Sequence, residues 1–187
     1  MNNMDLGHKV AIGEDSVLVV IDVQDRLMPV IRGKDALLQN ILRLIKFSRI
    51  VDIPIVITEQ EKLGPTLSEI MAEMVGAHPI GKVHFNCFMS VEFGNNIKQL
   101  KRKTIILVGV ETHICVMQTA LHALPSFRVH VVEDAVGSRT TENRNIAIAR
   151  MRQEGAIITS TEMFIYEILQ RAGTDKFKAA LQLVKQL

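Results

Sequence analysis

Short aliphatic runs punctuate this chain, and between them lie longer segments whose apolar residues recur every three or four positions. The runs are Ser16 to Ile21, Pro54 to Thr58, Gly81 to Phe85, Thr104 to Val108, Arg128 to Glu133 and Ala156 to Ser160. They are mostly β-branched and too short for helices, so they predict six strands. Between the first two, Leu37, Leu38, Ile41, Leu42, Leu44 and Ile45 recur at helical spacing and predict an amphipathic helix over Asp35 to Val51. Further helices are predicted from Pro65-Thr66-Leu67 onward, over Val91 to Leu100, Cys115 to Ala123, and Asn143 to Glu154 with a stop at Gly155. The last are Phe164 to Gln170 and Asp175 to Leu187.

Strand and helix in alternation give the α/β class: a three-layer α/β/α sandwich around a Rossmann-like six-stranded parallel sheet. Right-handed crossovers favour a switch point where the strand order reverses, and ligands bind there, outside the strands' carboxyl ends. With the order 3-2-1-4-5-6, strands one and four are neighbours. Asp22 and the Gly109 to Cys115 loop then leave their strands into one crevice.

Length and charge narrow the function classes. The 187 residues suit a single domain spanning 1–187, with Met1 to Gly13 as a loose N-terminal arm. No repeat or linker composition divides it. The 22 basic and 20 acidic residues give a net charge of +2, too balanced for a nucleic-acid or anionic-membrane binder. Lys101-Arg102-Lys103 reads as a solvated helix end. The apolar stretches are too short to cross a bilayer, and the N-terminus lacks a signal-peptide core, so a cytoplasmic location is expected. Cys87 and Cys115 are then free thiols in a reducing compartment.

Three residues invite chemistry, each with a plainer alternative. Asp22 follows the aliphatic run Leu18 to Ile21 and is placed for proton transfer, or else caps the Gln24-Asp25 loop. Cys115, six residues beyond Gly109, is expected in a first helical turn, where unpaired amides and the helix dipole favour a thiolate nucleophile; the alternative is a buried core cysteine. Lys82 either snorkels to the surface or turns inward to hold a carboxylate and a thiolate together. Cys87, beside Phe85 and Phe88, reads as core.

Taken together, Val19-Val20-Ile21-Asp22-Val23-Gln24, Gly81-Lys82 and Gly109-Val110-Glu111-Thr112-His113-Ile114-Cys115-Val116 resemble the isochorismatase-like cysteine hydrolases, which include nicotinamidases and N-carbamoylsarcosine amidase. Thr58-Glu59-Gln60 with Leu63-Gly64-Pro65-Thr66, and Ala149 to Gln153 with Gly155-Ala156, look closest to the subgroup named only as isochorismatase-domain-containing proteins. The resemblance implies a catalytic triad in which Cys115 attacks a carbonyl, Asp22 relays its proton and Lys82 stabilises the charged forms. It implies hydrolysis of a small amide or related C–N substrate through a thioester. It also implies a cis bond between Val110 and Glu111, whose expected purpose is to turn the amides of Glu111 and Cys115 toward one point as an oxyanion hole; the alternative is an ordinary trans turn following Gly109. A cysteine nucleophile argues against the vinyl-ether cleavage of true isochorismatases.

Departures from the family pattern matter too. Nicotinamidases resemble one another in an Asp and His metal site after the second strand, where this chain has Thr58-Glu59-Gln60-Glu61 and no nearby histidine; no metal and no cofactor are expected. His84 and His113 lack metal-ligand spacing. Gln24, Phe85 and Phe88 are the candidate substrate contacts, with aromatic core packing as the alternative for the phenylalanines. The expected partners are a small-molecule substrate and further copies of the chain, as a dimer or larger. A catalytically silent binding or oligomeric interaction protein is the rival reading. A nucleotide-binding domain lacks its G-x-G-x-x-G or Walker motif.

Overall fold

A computed structural model describes residues 10–185. Six strands form one sheet: β1 (Ser16–Ile21), β2 (Ile55–Gln60), β3 (Ile80–Lys82), β4 (Thr104–Val110), β5 (Arg128–Gly137) and β6 (Ile157–Thr159). Their order is β3-β2-β1-β4-β5-β6, and every neighbouring pair is parallel, which is the expected architecture. The central strands are aliphatic throughout because both faces are covered. Leu18 and Val20 of β1 face one apolar cluster, while Val17, Val19 and Ile21 face the other.

The first layer comprises α1 (Lys34–Ile50), α2 (Ser68–Glu73), α6 (Thr161–Leu169) and α7 (Asp175–Val184), which bury Ile41, Leu44, Ile70, Phe164 and Ala180 against that face. The opposite layer holds α3 (Val91–Leu100), α4 (Met117–Ala123) and α5 (Thr141–Gln153), contributing Phe93, Ile97, Ala120, Ile148 and Met151. Side-chain oxygens of Ser90, Thr140, Ser160 and Thr174 accept amide protons at the starts of α3, α5, α6 and α7, satisfying donors a helix cannot pair internally. Among the described residues no helix is long and apolar enough to cross a membrane. Residues 1–9 of the expected arm lie outside the described residues; Gly13–Asp15 form a short 3-10 turn leading into β1.

Several boundaries differ from the sequence expectation. The third strand ends at Lys82 instead of Phe85: the chain leaves the sheet edge and turns at Cys87–Met89, where the Asn86 side chain accepts the Phe88 amide. The fifth runs four residues past Glu133, through a register irregularity opposite Leu107 and Gly109. Asp134 falls in this irregular stretch, where its carboxylate accepts both the amide and the hydroxyl of Thr161. The helix expected from Cys115 begins at Met117, after a π-helical turn over Thr112–Val116.

The crevice between β1 and β4 depends on Gly109. Its φ is +110°, and a β-carbon there would lie 2.1 Å from the Ile21 carbonyl oxygen. Only glycine permits this approach. The ends of β1 and β4 therefore diverge from a common point, and each delivers its next residues into the same space.

Candidate active site

Asp22 is the first residue past β1, in a left-handed conformation with φ of +52°, which aspartate tolerates better than most residues. Its amide donates to the Thr58 carbonyl. One carboxylate oxygen accepts the Thr58 hydroxyl at 2.7 Å, and the other accepts the Lys82 ammonium at 2.7 Å. Both ionic side chains are fully excluded from solvent. Lys82 thus turns inward, and its reach is set by register: as the last residue of β3 it lies directly opposite Gln60 of β2. The same ammonium donates to the Gln60 side-chain oxygen at 2.8 Å and lies 3.7 Å from the Cys115 sulfur.

The electrostatics follow from burial and from that pair. Burial pulls the Lys82 pKa down, but the Asp22 carboxylate and the neighbouring Cys87 and Cys115 outweigh it, and the net shift is upward. Burial pushes the Cys115 thiol up, and the Asp22 carboxylate adds to this; Lys82 opposes both and does not prevail. The expectation of a thiolate favoured by a helix N-terminus is corrected here. Cys115 sits in the π-helical turn, it is 5% exposed, and desolvation dominates. Desolvation and the Asp22 charge both favour the thiol form over the thiolate. Cys87, 0% exposed, is pushed up to about 11 by burial and packs in the same cluster as Phe93.

The bond between Val110 and Glu111 is cis. The Glu111 carbonyl accepts the amides of Ile114 and Val116, closing the turn that carries Cys115. The Glu111 carboxylate accepts the Arg139 amide and side-chain Nε, both at 3.1 Å, and His113 Nδ1 lies 3.0 Å from the Ser138 hydroxyl. Two adjacent side chains thus tether the cysteine loop to the end of β5. Neither Ser138 nor Arg139 carries a sequence signal of this role, because the contact spans 25 or more residues between irregular segments. Thr58 and Gln60 had one: they are polar residues two apart at the end of a strand beside the switch point, so both face the same way.

The expected substrate contacts fare differently. Gln24 is fully buried and its amide is committed to backbone: it donates to the carbonyls of Gln60 and Gly64 and accepts the Gln60 amide. It braces the β2–α2 loop. Phe88 stacks on His122 at 4.9 Å and meets Phe93 edge-on, so it packs α3 against α4. Phe85 is 52% exposed, three residues beyond Lys82. Glu59 accepts the amide and hydroxyl of Thr66. Among the described residues no group of three or more His, Cys, Asp or Glu side chains is placed to hold a metal ion.

Comparison with known proteins places this geometry. The secreted isochorismatase effector Isc1 of Phytophthora sojae (strain P6497) is 37% identical over 186 residues, covering 94% of this chain and 87% of that protein. Isochorismatase domain-containing protein 2A of Mus musculus is 34% identical over 180 residues, covering 92% of this chain and 84% of that protein. Among solved structures, the MAR1 ribonuclease from Caenorhabditis elegans is similar with a TM-score of 0.88 at 33% identity, over 94% of this chain and 92% of that one. The YcaC gene product from Escherichia coli, described as an octameric hydrolase of unknown specificity, gives 0.89 at 26% identity, over 94% and 89%. A family model described as isochorismatase domain matches residues 16–163, and the chain therefore belongs to the isochorismatase domain family, whose members are generally hydrolases.

Proposed function

We propose that this chain is a cysteine hydrolase of a small amide or related C–N carbonyl substrate, with Asp22, Lys82 and Cys115 as its catalytic residues. The observation that carries the reading is the fully buried Lys82 ammonium, 2.7 Å from the Asp22 carboxylate and 3.7 Å from the Cys115 sulfur. A buried ion pair is seldom worth its desolvation as a device for stability alone, and here it stands beside a thiol at a strand switch point.

In the proposed cycle the Cys115 thiol gives its proton to Asp22 as the sulfur attacks the carbonyl carbon. Lys82 holds the carboxylate in place and offsets the charge passing through the sulfur. The backbone amides of Glu111 and Cys115 are the proposed donors to the tetrahedral oxyanion. Asp22 then returns the proton to the departing nitrogen, so that ammonia or an amine leaves and a thioester remains. Water, deprotonated by Asp22, attacks the thioester; the acid is released and the thiol is restored.

Ammonia release across a panel of amides, carbamoyl compounds and ureides tests this. A substrate should emerge whose turnover is abolished by Cys115→Ala, with an acyl adduct on Cys115 by intact mass before steady state. Turnover that survives Cys115→Ala would sink the mechanism. As to assembly, we propose a homo-oligomer, since Val83, Phe85, Met89 and Val91 all stand exposed on the segment after β3 and the similar YcaC gene product is octameric. Light scattering after gel filtration should give a mass of at least two chains.

A further inference from the structure

We propose that Gln60 is a positioning residue whose side-chain carbonyl fixes the Lys82 ammonium so that one of its protons is aimed at the Cys115 sulfur. The inference rests on the catalytic reading of Asp22, Lys82 and Cys115.

An ammonium is tetrahedral about nitrogen and offers three protons on a freely rotating bond. One acceptor, Asp22 at 2.7 Å, would leave the other two protons free to swing about that contact. A second acceptor, Gln60 at 2.8 Å, removes this freedom, and the third proton then has one direction left, in which Cys115 lies at 3.7 Å. The neutral amide of Gln60 sets orientation while leaving Asp22 as the sole ionic partner, among the described residues, within bonding distance of the ammonium.

Gln60 is itself held on every side. Its backbone amide and carbonyl are both taken by the buried Gln24 side chain, at 2.8 and 3.0 Å. Its side-chain nitrogen donates to the Val83 carbonyl at 2.8 Å, which fixes the amide's orientation so that the oxygen points at Lys82. In-register pairing of Gln60 with Lys82 puts both side chains on one face of the sheet. The chain of contacts runs from Gln24 through Gln60 to Lys82 and on to Asp22 and Cys115. A glutamine serving only to tie β2 to β3 would need the Val83 bond alone; the oxygen turned to a buried ammonium is the extra feature.

Chemistry also favours an amide over a carboxylate here. A second negative charge near the sulfur would raise the thiol pKa further, since the Asp22 carboxylate already does so. It would also compete for the ammonium that opposes that rise.

The test uses iodoacetamide, which transfers its carboxamidomethyl group to sulfur with loss of iodide, and reads the Cys115 adduct by peptide mapping at pH 6 to 10 on the full chain. This readout needs no substrate, so it separates failure of Gln60 from failure of the hydrolase reading. Gln60→Glu should lower the rate of Cys115 modification about tenfold or more at each pH below the thiol's midpoint, the equivalent of a rise of one pKa unit or more. Gln60→Met, which keeps length and removes the acceptor, should lower the rate at pH 7 about tenfold, the equivalent of one pKa unit in thiolate population. Far-UV circular dichroism melts show that both variants are folded. Wild-type pH profiles in both, even with lowered melting temperatures, would reduce Gln60 to a strand tie and overturn the inference.

Discussion

The buried ion pair offers the sharpest test of the structural reasoning. In Lys82→Met the Asp22 carboxylate keeps the Thr58 hydroxyl and the Cys115 thiol but no cation; in Asp22→Asn the ammonium keeps Gln60 and the distant sulfur but no anion. Either change strands a charge whose side chain is 0% exposed. Each should therefore destabilise by about 3–5 kcal/mol, the usual cost of removing one partner of a buried pair. The double variant removes both charges and should recover part of that loss, giving a coupling of roughly 2–3 kcal/mol. Urea unfolding followed by far-UV circular dichroism measures all four proteins, the sole tyrosine and absent tryptophan making fluorescence a poor probe. Single costs that simply add, to within about 0.5 kcal/mol, would mean that the two charges are solvated independently, and the site as described would be wrong.

Three further outcomes follow from other residues. His130 is fully buried with both ring nitrogens unpartnered among the described residues, and burial, aided by Arg128, lowers its pKa to about 4. Because the folded value is depressed below the unfolded 6.5, its contribution is fully present above pH 6.5. It is lost progressively as pH falls toward 4, about 3 kcal/mol in all, so His130→Leu should flatten urea stability across that window. Gly109→Ala should cost about 3 kcal/mol or more, because its β-carbon meets the Ile21 carbonyl and its φ is positive; a melting temperature within a few degrees of the parent would contradict this. Cys115 should be alkylated faster than Cys87 at near-neutral pH, since Cys87 is 0% exposed whereas Cys115 is 5% exposed and has the Lys82 ammonium 3.7 Å from its sulfur; peptide mapping that found Cys87 modified first would contradict this accessibility argument.

The sheet was legible because its strands are buried on both faces and so appear as unbroken aliphatic runs, and because the intervening helices keep a period. Val91 to Leu100 matches to the residue, bounded by the Ser90 cap and a left-handed Lys101. What could not be read depends on long-range register. Whether Lys82 snorkels or turns inward is decided by its pairing with Gln60, and nothing local to Gly81-Lys82 encodes that. Gln24 looks like a polar residue at a crevice, yet its partners are backbone groups 36 and 40 residues away. The sequence argument for Cys115 weighed a helix terminus against burial without knowing the burial, and the burial prevails.

Lys82 belongs to a three-residue strand at the end of the sheet, paired on one side only. Sheet margins are where native proteins open first, at free energies well below global unfolding. The ammonium reaches past the adjacent strand to Asp22 at the tip of β1, so it works as a stitch between the margin and the centre of the sheet. When that margin opens, Asp22 and Cys115 lose their common neighbour in a single event while the helices and central strands remain intact. The proposed hydrolase activity and the hydrogen-exchange protection of residues 80–82 should therefore vanish together under mild denaturant, well ahead of the helical signal.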